Sequence, residues 1–204
     1  MNLQKYIDLI HAFIGKRTQV VERQVQKFYI QMLDQTLAEL GKLFQKYQRG
    51  DGSLRREDVL RYKRLDAFKR TVMTSAKIMS TKRYDALRKH LEESYEYSYD
   101  FMSWAIQKES EVMYDGVLLR AEIEEKAETN EISKIKLSET LEKHRAQVVH
   151  KISAEVTQGL TRGETYKQVA DRVENVVEGD YNKAIRTVRT ETKRVRESAT
   201  VEAA

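Results

Sequence analysis

Apolar residues recur along most of the chain at helical spacing. Between Thr18 and Tyr47, Val21, Val25, Phe28 and Met32 follow at intervals of four, three and four; Leu33, Leu37, Leu40, Phe44 and Tyr47 continue one residue out of phase. This predicts one long amphipathic helix whose buried stripe shifts once, with Gly15 separating it from a short first helix over 2–14. The run RGDGS (49–53) is the first clear turn, with Ser53 or Asp51 as the cap. A second helix carries Val59, Tyr62, Leu65, Phe68, Val72, Ala76 and Met79, and STKR (80–83) breaks or bends it. A third holds Tyr84, Leu87 and Leu91 and enters SYEYSYDFMSWAI (94–106), where aromatic residues alternate as in a strand. Both flanks have helical period, so on a helix they become two stripes, Tyr95–Tyr99–Met102–Ile106 and Tyr97–Phe101–Trp104, both expected to pack against other helices. A base-stacking platform needs exposed rings among positive charge, and this stretch is acidic.

Gly116 marks a weak break, and the polar, acidic residues that follow read as an exposed helix or a hinge. Leu137, Leu141, Val148, Ile152 and Val156 then lead to Gly159, read as a left-handed stop. GLTRGET (159–165) turns the chain, with Thr165 or Glu164 as cap. Tyr166, Val169, Ala170, Val173 and Val177 form a short helix, EGD (178–180) turns again, and a last helix begins near Tyr181. The expected fold is all-α. Long antiparallel amphipathic helices occupy 1–120, a hinge or exposed helix 121–136, and a small three-helix unit 137–204.

Composition sharpens this picture. Among 204 residues there is no proline and there are eight glycines, which suits few, long helices. There is no cysteine, so no disulfide framework or thiolate metal site. The first residues, MNLQKYIDLIHAFIG, are interrupted by Lys5, Asp8 and His11 and resemble neither a signal peptide nor a membrane span. Net charge is +5, unevenly spread: +11 over 1–90, −9 over 91–142 and +3 over 143–204. Either packed helices neutralise one another, or the chain offers two surfaces to two partners, one of them polyanionic.

Catalytic and metal motifs are missing from the sequence: there is no P-loop, no G-x-S-x-G and no H-E-x-x-H. An EF-hand reading of YQRGDGSLRRED puts Tyr47 and Arg49 where oxygen ligands belong. We expect no enzyme activity, metal or other cofactor. Within RREDVLRYKRLDAFKR (55–70), Arg56, Lys63, Arg64 and Arg70 lie away from the apolar line and could meet phosphate; such contact would be sequence-neutral and salt-dependent. On a wheel of about 100° per residue, Tyr181, Ala184, Ile185, Val188, Thr192, Val195 and Ala199 share one arc, and Arg186, Arg189, Lys193 and Arg196 another. Glu191 sits at the edge of the apolar arc, where a carboxylate needs a cation. Arg194 is the local candidate; Arg162 and Arg172 are alternatives.

ISAEVTQGLTRGETYKQVADRV (152–173) followed by YNKAIRTVRTETKRVRESA (181–199) resembles the phage head morphogenesis family, minor head proteins of tailed phages. The residues that carry the resemblance are Gly159, Leu160, Gly163, Thr165, Val169, Ala170, Ala184, Arg189, Thr190 and Glu191, within 137–199. It implies a helical structural protein of the virion, present in a few copies. Such a protein would associate with portal protein or the inner capsid, contact packaged double-stranded DNA and influence its delivery, without a membrane. Members often continue into segments with paired cysteines; the chain has no cysteine, so functions of those segments do not transfer. Two other readings stand beside this one: a free-standing helical nucleic-acid-binding module and a scaffold-like oligomer.

Overall fold

A computed structural model describes residues 3–60, 64–110, 118–130 and 133–204. Among them are six helices: α1 (Leu3–Tyr47), α2 (Arg56–Leu60), α3 (Arg64–Ser110), α4 (Arg120–Glu128), α5 (Leu137–Arg162) and α6 (Tyr166–Glu202). Only isolated β-bridges, Ser53 with Thr165 and Thr129 with Lys136, occur besides them in the described residues. The protein is all-α, as its periodicity predicts. Tyr62 and Gly116 lie outside the described residues.

Two expected breaks are absent: Gly15 lies inside α1, and 178–180 inside α6; of the two readings of 80–83 the break is ruled out, because the stretch lies inside α3. A lone glycine in a helix costs about 1 kcal/mol, too little to stop helices that bury a continuous stripe on both sides of it. The last 68 residues therefore hold two helices, not three. Nor does the α1 stripe shift: Val21, Val25, Tyr29, Met32, Thr36, Leu40, Leu43 and Phe44 are buried, while Phe28, Leu33 and Leu37 are half-buried. Thr36 tolerates its core position because its hydroxyl donates to the Met32 carbonyl at 2.8 Å.

The structure divides into two compact units, neither formed by contiguous chain. The first comprises Met1–Val25, Tyr84–Thr140 and Ala184–Ala204; the second comprises Gln26–Arg83 and Leu141–Lys183. By sequence the second holds 21 basic and 13 acidic residues, a net of +8; the first holds 16 and 19, a net of −3.

In the first unit Ile10, Ile14, Met102 and Ala203 form a core cluster, against which Leu3, Ile7, Tyr97, Tyr99, Phe101 and Ile106 pack. The acidic segment forms α4, which buries Ile123 and Ala127. Arg120 joins its start to Glu92 of α3 at 2.7 Å. At its end Glu128 accepts a bond from the Tyr84 hydroxyl at 2.9 Å. Two carboxylates at this junction are neutralised within the unit: Glu92 of α3 and Glu124 of α4 each face Arg88 and Arg120.

The second unit sets Tyr29 of α1 edge-on to Tyr181 of α6, and Phe44 to Tyr166. Its centre is polar. Arg83 is 1 % exposed, yet its guanidinium donates to the Tyr29 hydroxyl at 2.6 Å and to the Leu141 carbonyl at 3.2 Å. Tyr29 in turn donates to Asp180, also at 2.6 Å. Burial pushes the Tyr29 hydroxyl well above its ordinary range, so it stays a neutral link between the two charges.

The turn between α5 and α6 explains the glycines of GLTRGET. Gly163 has φ +68° and follows the last residue of α5. Its N–H reaches the Leu160 carbonyl, and the Glu164 N–H the Gly159 carbonyl, the paired bonds of a Schellman motif. Gly163, not Gly159, is therefore the left-handed stop. Gly159 has a different task, because a Cβ there would stand 2.7 Å from Val169 Cγ2. The glycine lets α5 approach the first turn of α6. Thr165 caps α6, its N–H bonded to the Gln168 side chain at 2.9 Å.

Two predictions follow from these packings. Gly159→Ala should lower stability by about 1–3 kcal/mol through overpacking, and Gly163→Ala by about 1–2 kcal/mol through its left-handed backbone. Gly15→Ala, with no neighbour within 4 Å, should raise it by about 0.5–1 kcal/mol. Denaturant midpoints of the three variants check this ordering. The second prediction concerns His90, buried in the first unit at 3.2 Å from the Thr18 hydroxyl. Burial and the nearby Arg17 lower its pKa to about 4. A folded value below the unfolded one means that the unfolded chain binds the extra proton. This part of the stability is complete above about pH 6.5 and is lost as pH falls towards 4, by up to about 3 kcal/mol. His11 and His144, also lowered by burial, act in the same direction. Unfolding curves at pH 7 and 4.5 should show a smaller acid loss for His90→Gln than for the unaltered chain.

Candidate functional site

The arginine-rich end of α6 separates into an inward and an outward part, all within the first unit. Inward lies the latch. The Glu191 carboxylate accepts from Arg194 Nε at 2.7 Å, and both side chains are largely buried, 20 % and 15 % exposed. The rest of the guanidinium faces the end of α4. Nη1 donates to the carbonyls of Lys126 at 2.9 Å and Thr129 at 3.2 Å, and Nη2 reaches the Ala127 carbonyl at 3.4 Å. The last carbonyls of any helix have no partner within it and carry its negative dipole end. A guanidinium satisfies several at once, while Glu191 fixes its plane and balances its charge. Arg194 is thus the partner of Glu191. Of the alternatives, Arg172 is engaged in the second unit by Glu164 at 2.7 Å and Glu155 at 2.9 Å, and Arg162 lies 3.9 Å from Glu164. Thr190 is exposed.

The outward row is shorter than the wheel suggests. Arg186 and Lys193 are exposed and nearly aligned, seven residues apart. Arg189 makes a two-pronged pair with Glu22 of α1, at 2.6 and 3.1 Å. Arg196 turns inward: its side chain is 16 % exposed, its Nε is buried without a partner, and burial lowers its pKa. The wheel misplaced Arg196 because it tracks one face of one helix, whereas α1 closes over the neighbouring arc and brings His11 beside it.

In the second unit Arg56, Arg64 and Arg70 are all exposed. Arg56 shares an open cleft of about 560 Å³ with Arg55 and Arg162, where the 51–57 turn meets the end of α5. Arg64 donates to the Tyr47 hydroxyl at 3.1 Å. Arg70 follows six residues later on α3, about 240° around the axis, so these cations spread over the unit's surface and form no single patch. Lys63 lies outside the described residues.

Sequence reasoning missed the buried bridge of Tyr29, Arg83 and Asp180. The signal was present, because Arg83 continues the apolar line of Val72, Ala76 and Met79, and Asp180 that of Val173 and Val177. A charge on an apolar line needs a partner on the helices it faces.

Among curated proteins, the chain is 32 % identical over 202 residues to the minor head protein GP7 of Bacillus phage SPP1. The match covers 95 % of this chain and 60 % of that protein, so the chain spans less than two thirds of its relative. No family model and no solved structure matches the chain. The likeness bears out the resemblance carried by the GLTRGET and RTE elements and extends it to the long helices before them.

The latch generates a graded prediction. Arg194→Ala strands the α4 carbonyls and leaves Glu191 unpaired, and should lower stability by about 3 kcal/mol. Arg194→Lys should recover less than half of this, since an ammonium cannot reach the carboxylate and three carbonyls together. Glu191→Ala should cost less than Arg194→Ala, because the guanidinium keeps its carbonyls. Denaturant unfolding gives the energies, and hydrogen exchange at 120–130 should rise first.

Proposed function

Because the chain is a relative of the phage minor head proteins, we propose that it enters the phage head during assembly as a structural component, associating with portal protein or the inner capsid and touching packaged double-stranded DNA. The observation that carries the reading is the 32 % identity over 95 % of the chain. The distribution of charge supports its second half. The unit of +8 exposes Arg56, Arg64 and Arg70, whose scattered placement suits sequence-neutral phosphate contact over a broad surface. Of the row Arg186, Arg189, Lys193 and Arg196 on α6, Arg186 and Lys193 are exposed on one face and suit phosphate, Lys193 with Glu197 3.7 Å away; Arg189 and Arg196 are committed to the fold. No described helix is long and apolar enough to cross a membrane.

Mass spectrometry of purified heads should find the protein in a few copies each, and its absence from heads that contain portal protein would refute the reading. DNA contact is separable from this. Log affinity for duplex DNA should fall linearly with log salt. Reversing Arg56, Arg64 and Arg70 to glutamate should weaken binding at least tenfold and flatten the slope by about three, with melting unchanged. Strong DNA binding by a chain that never enters heads would favour the free-standing nucleic-acid-binding module instead.

A further inference from the structure

One surface of the first unit has no role in the latch or in phosphate contact. Leu9, Phe13 and Val20 of α1 and Trp104 of α3 are 38 to 47 % exposed, unusual for such large apolar side chains together. Phe13 and Trp104 are joined by a continuous ladder of rings. Phe13 stacks on Tyr97 with centroids 4.1 Å apart, Tyr97 on Phe101 at 5.7 Å, and Phe101 lies 5.5 Å from Trp104; Tyr6 meets Trp104 edge-on at 5.9 Å. Beyond Phe13 the face continues as a groove of about 280 Å³ between α1 and α3, lined by Val20, Gln24, Ala86 and His90 and edged by Arg17 and Lys89, both of which pair with Glu93. The expectation that this aromatic stripe is packed away is therefore only half met: Tyr95 and Met102 are in the core, whereas Tyr97 and Phe101 show one side and Trp104 is exposed.

The rings are held before any partner arrives. Tyr97 and Phe101 rest on the Ile10–Ile14–Met102–Ala203 cluster, and Lys108 and Arg17 cover the Trp104 and Phe13 rings. Carboxylates accompany the ladder along α3. Glu96 and Asp100 are exposed one turn apart, each adjacent in sequence to a ladder ring, and Glu109 follows beyond Trp104. Partial burial raises the Asp100 carboxyl above its ordinary range. From Tyr6 to Val20 the face runs about 21 Å, the length of a helix of some four turns.

From this geometry we infer that the α1–α3 face of the first unit is a docking surface for a positively charged amphipathic helix of another polypeptide. Its apolar stripe lies along the ladder and its lysines or arginines reach Glu96, Asp100 and Glu109. A helix in a groove with apolar anchors one turn apart is a common recognition mode. A rigid aromatic platform loses little entropy when it is covered. Opposed carboxylates fix the sign of the partner's charge. A second copy is a poorer occupant of the same face, because pairing it with itself would bring these carboxylates together. This inference does not depend on the chain being a head component, and its test reads the face directly.

Trp104 is the only tryptophan in the sequence and sits on the ladder, so its emission reports occupancy. The probe is an 18-residue peptide of leucine and lysine patterned as an amphipathic helix; a leucine–glutamate peptide of the same pattern is the control. The lysine peptide should shift Trp104 emission to the blue in a saturable way, and the glutamate peptide should not. Glu96→Lys with Asp100→Lys should weaken binding at least tenfold, and so should Phe13→Ser. Glu125→Lys with Glu139→Lys, the same charge change at exposed positions on α4 and α5, should leave it within twofold. All variants change exposed residues, so unaltered melting shows that the fold is kept. Equal response to both peptides, no response, or equal weakening by the two charge pairs would overturn the inference. A blue shift that grows with the protein's own concentration would also overturn it, and would make the face an interface between copies.

Discussion

One guanidinium holds the second unit in register. Arg83 projects from α3 into an apolar interior, where an unpaired charge would cost several kcal/mol. Its partners come from every other long helix of that unit: the Tyr29 hydroxyl of α1, the Leu141 carbonyl of α5 and, through Tyr29, the Asp180 carboxylate of α6. Apolar stripes alone would let helices slide by a turn at modest loss, since one aliphatic contact replaces another. A buried cation resists such a slide, because moving by a turn would take it from the Tyr29 hydroxyl and the Leu141 carbonyl that satisfy it, and from the Asp180 carboxylate behind Tyr29. Leucine and valine supply most of the burial, and this polar bridge selects the arrangement in which they are buried.

The same logic, with smaller stakes, governs the first unit. There the problem is α4, nine residues long and strongly acidic, too short to hold itself together in water. Its start is tied to α3 by Arg120 and Glu92, its end to Tyr84 through Glu128, and its last carbonyls to Arg194. Each tie meets a charge or an unsatisfied backbone group that α4 itself creates. Only Ile123 and Ala127 are buried, so the helix is held largely by electrostatics and hydrogen bonds.

The helical class, the positions of most buried residues and the edge location of Glu191 were legible because each follows from periodicity on a single helix. Helix ends were less so. Gly15 and Gly179 look like stops in the sequence, but a glycine ends a helix only where the chain takes up a left-handed residue, as at Gly163. Gly159 shows the opposite ambiguity: its lack of a side chain serves a neighbour, Val169, that is close only after folding. Residues defined by several helices at once were illegible. Arg196 looked exposed because α1 was not on the wheel. Arg83 looked like part of a break because STKR is polar, although its position on the apolar line already demanded a partner.

The stretch RTVRTE thus divides its labour unexpectedly. Arg189 pairs with Glu22, Glu191 positions Arg194, and Arg194 closes α4, so two of the residues that carry the resemblance, Arg189 and Glu191, are spent on internal contacts within the first unit. What these residues provide is the seating of α6 on its neighbours. The surfaces proposed for recognition are those with weaker sequence signatures. They are scattered arginines on the positive unit and a half-exposed aromatic ladder on the negative one. Both are surface features whose exact residues can vary while charge and apolar area are kept.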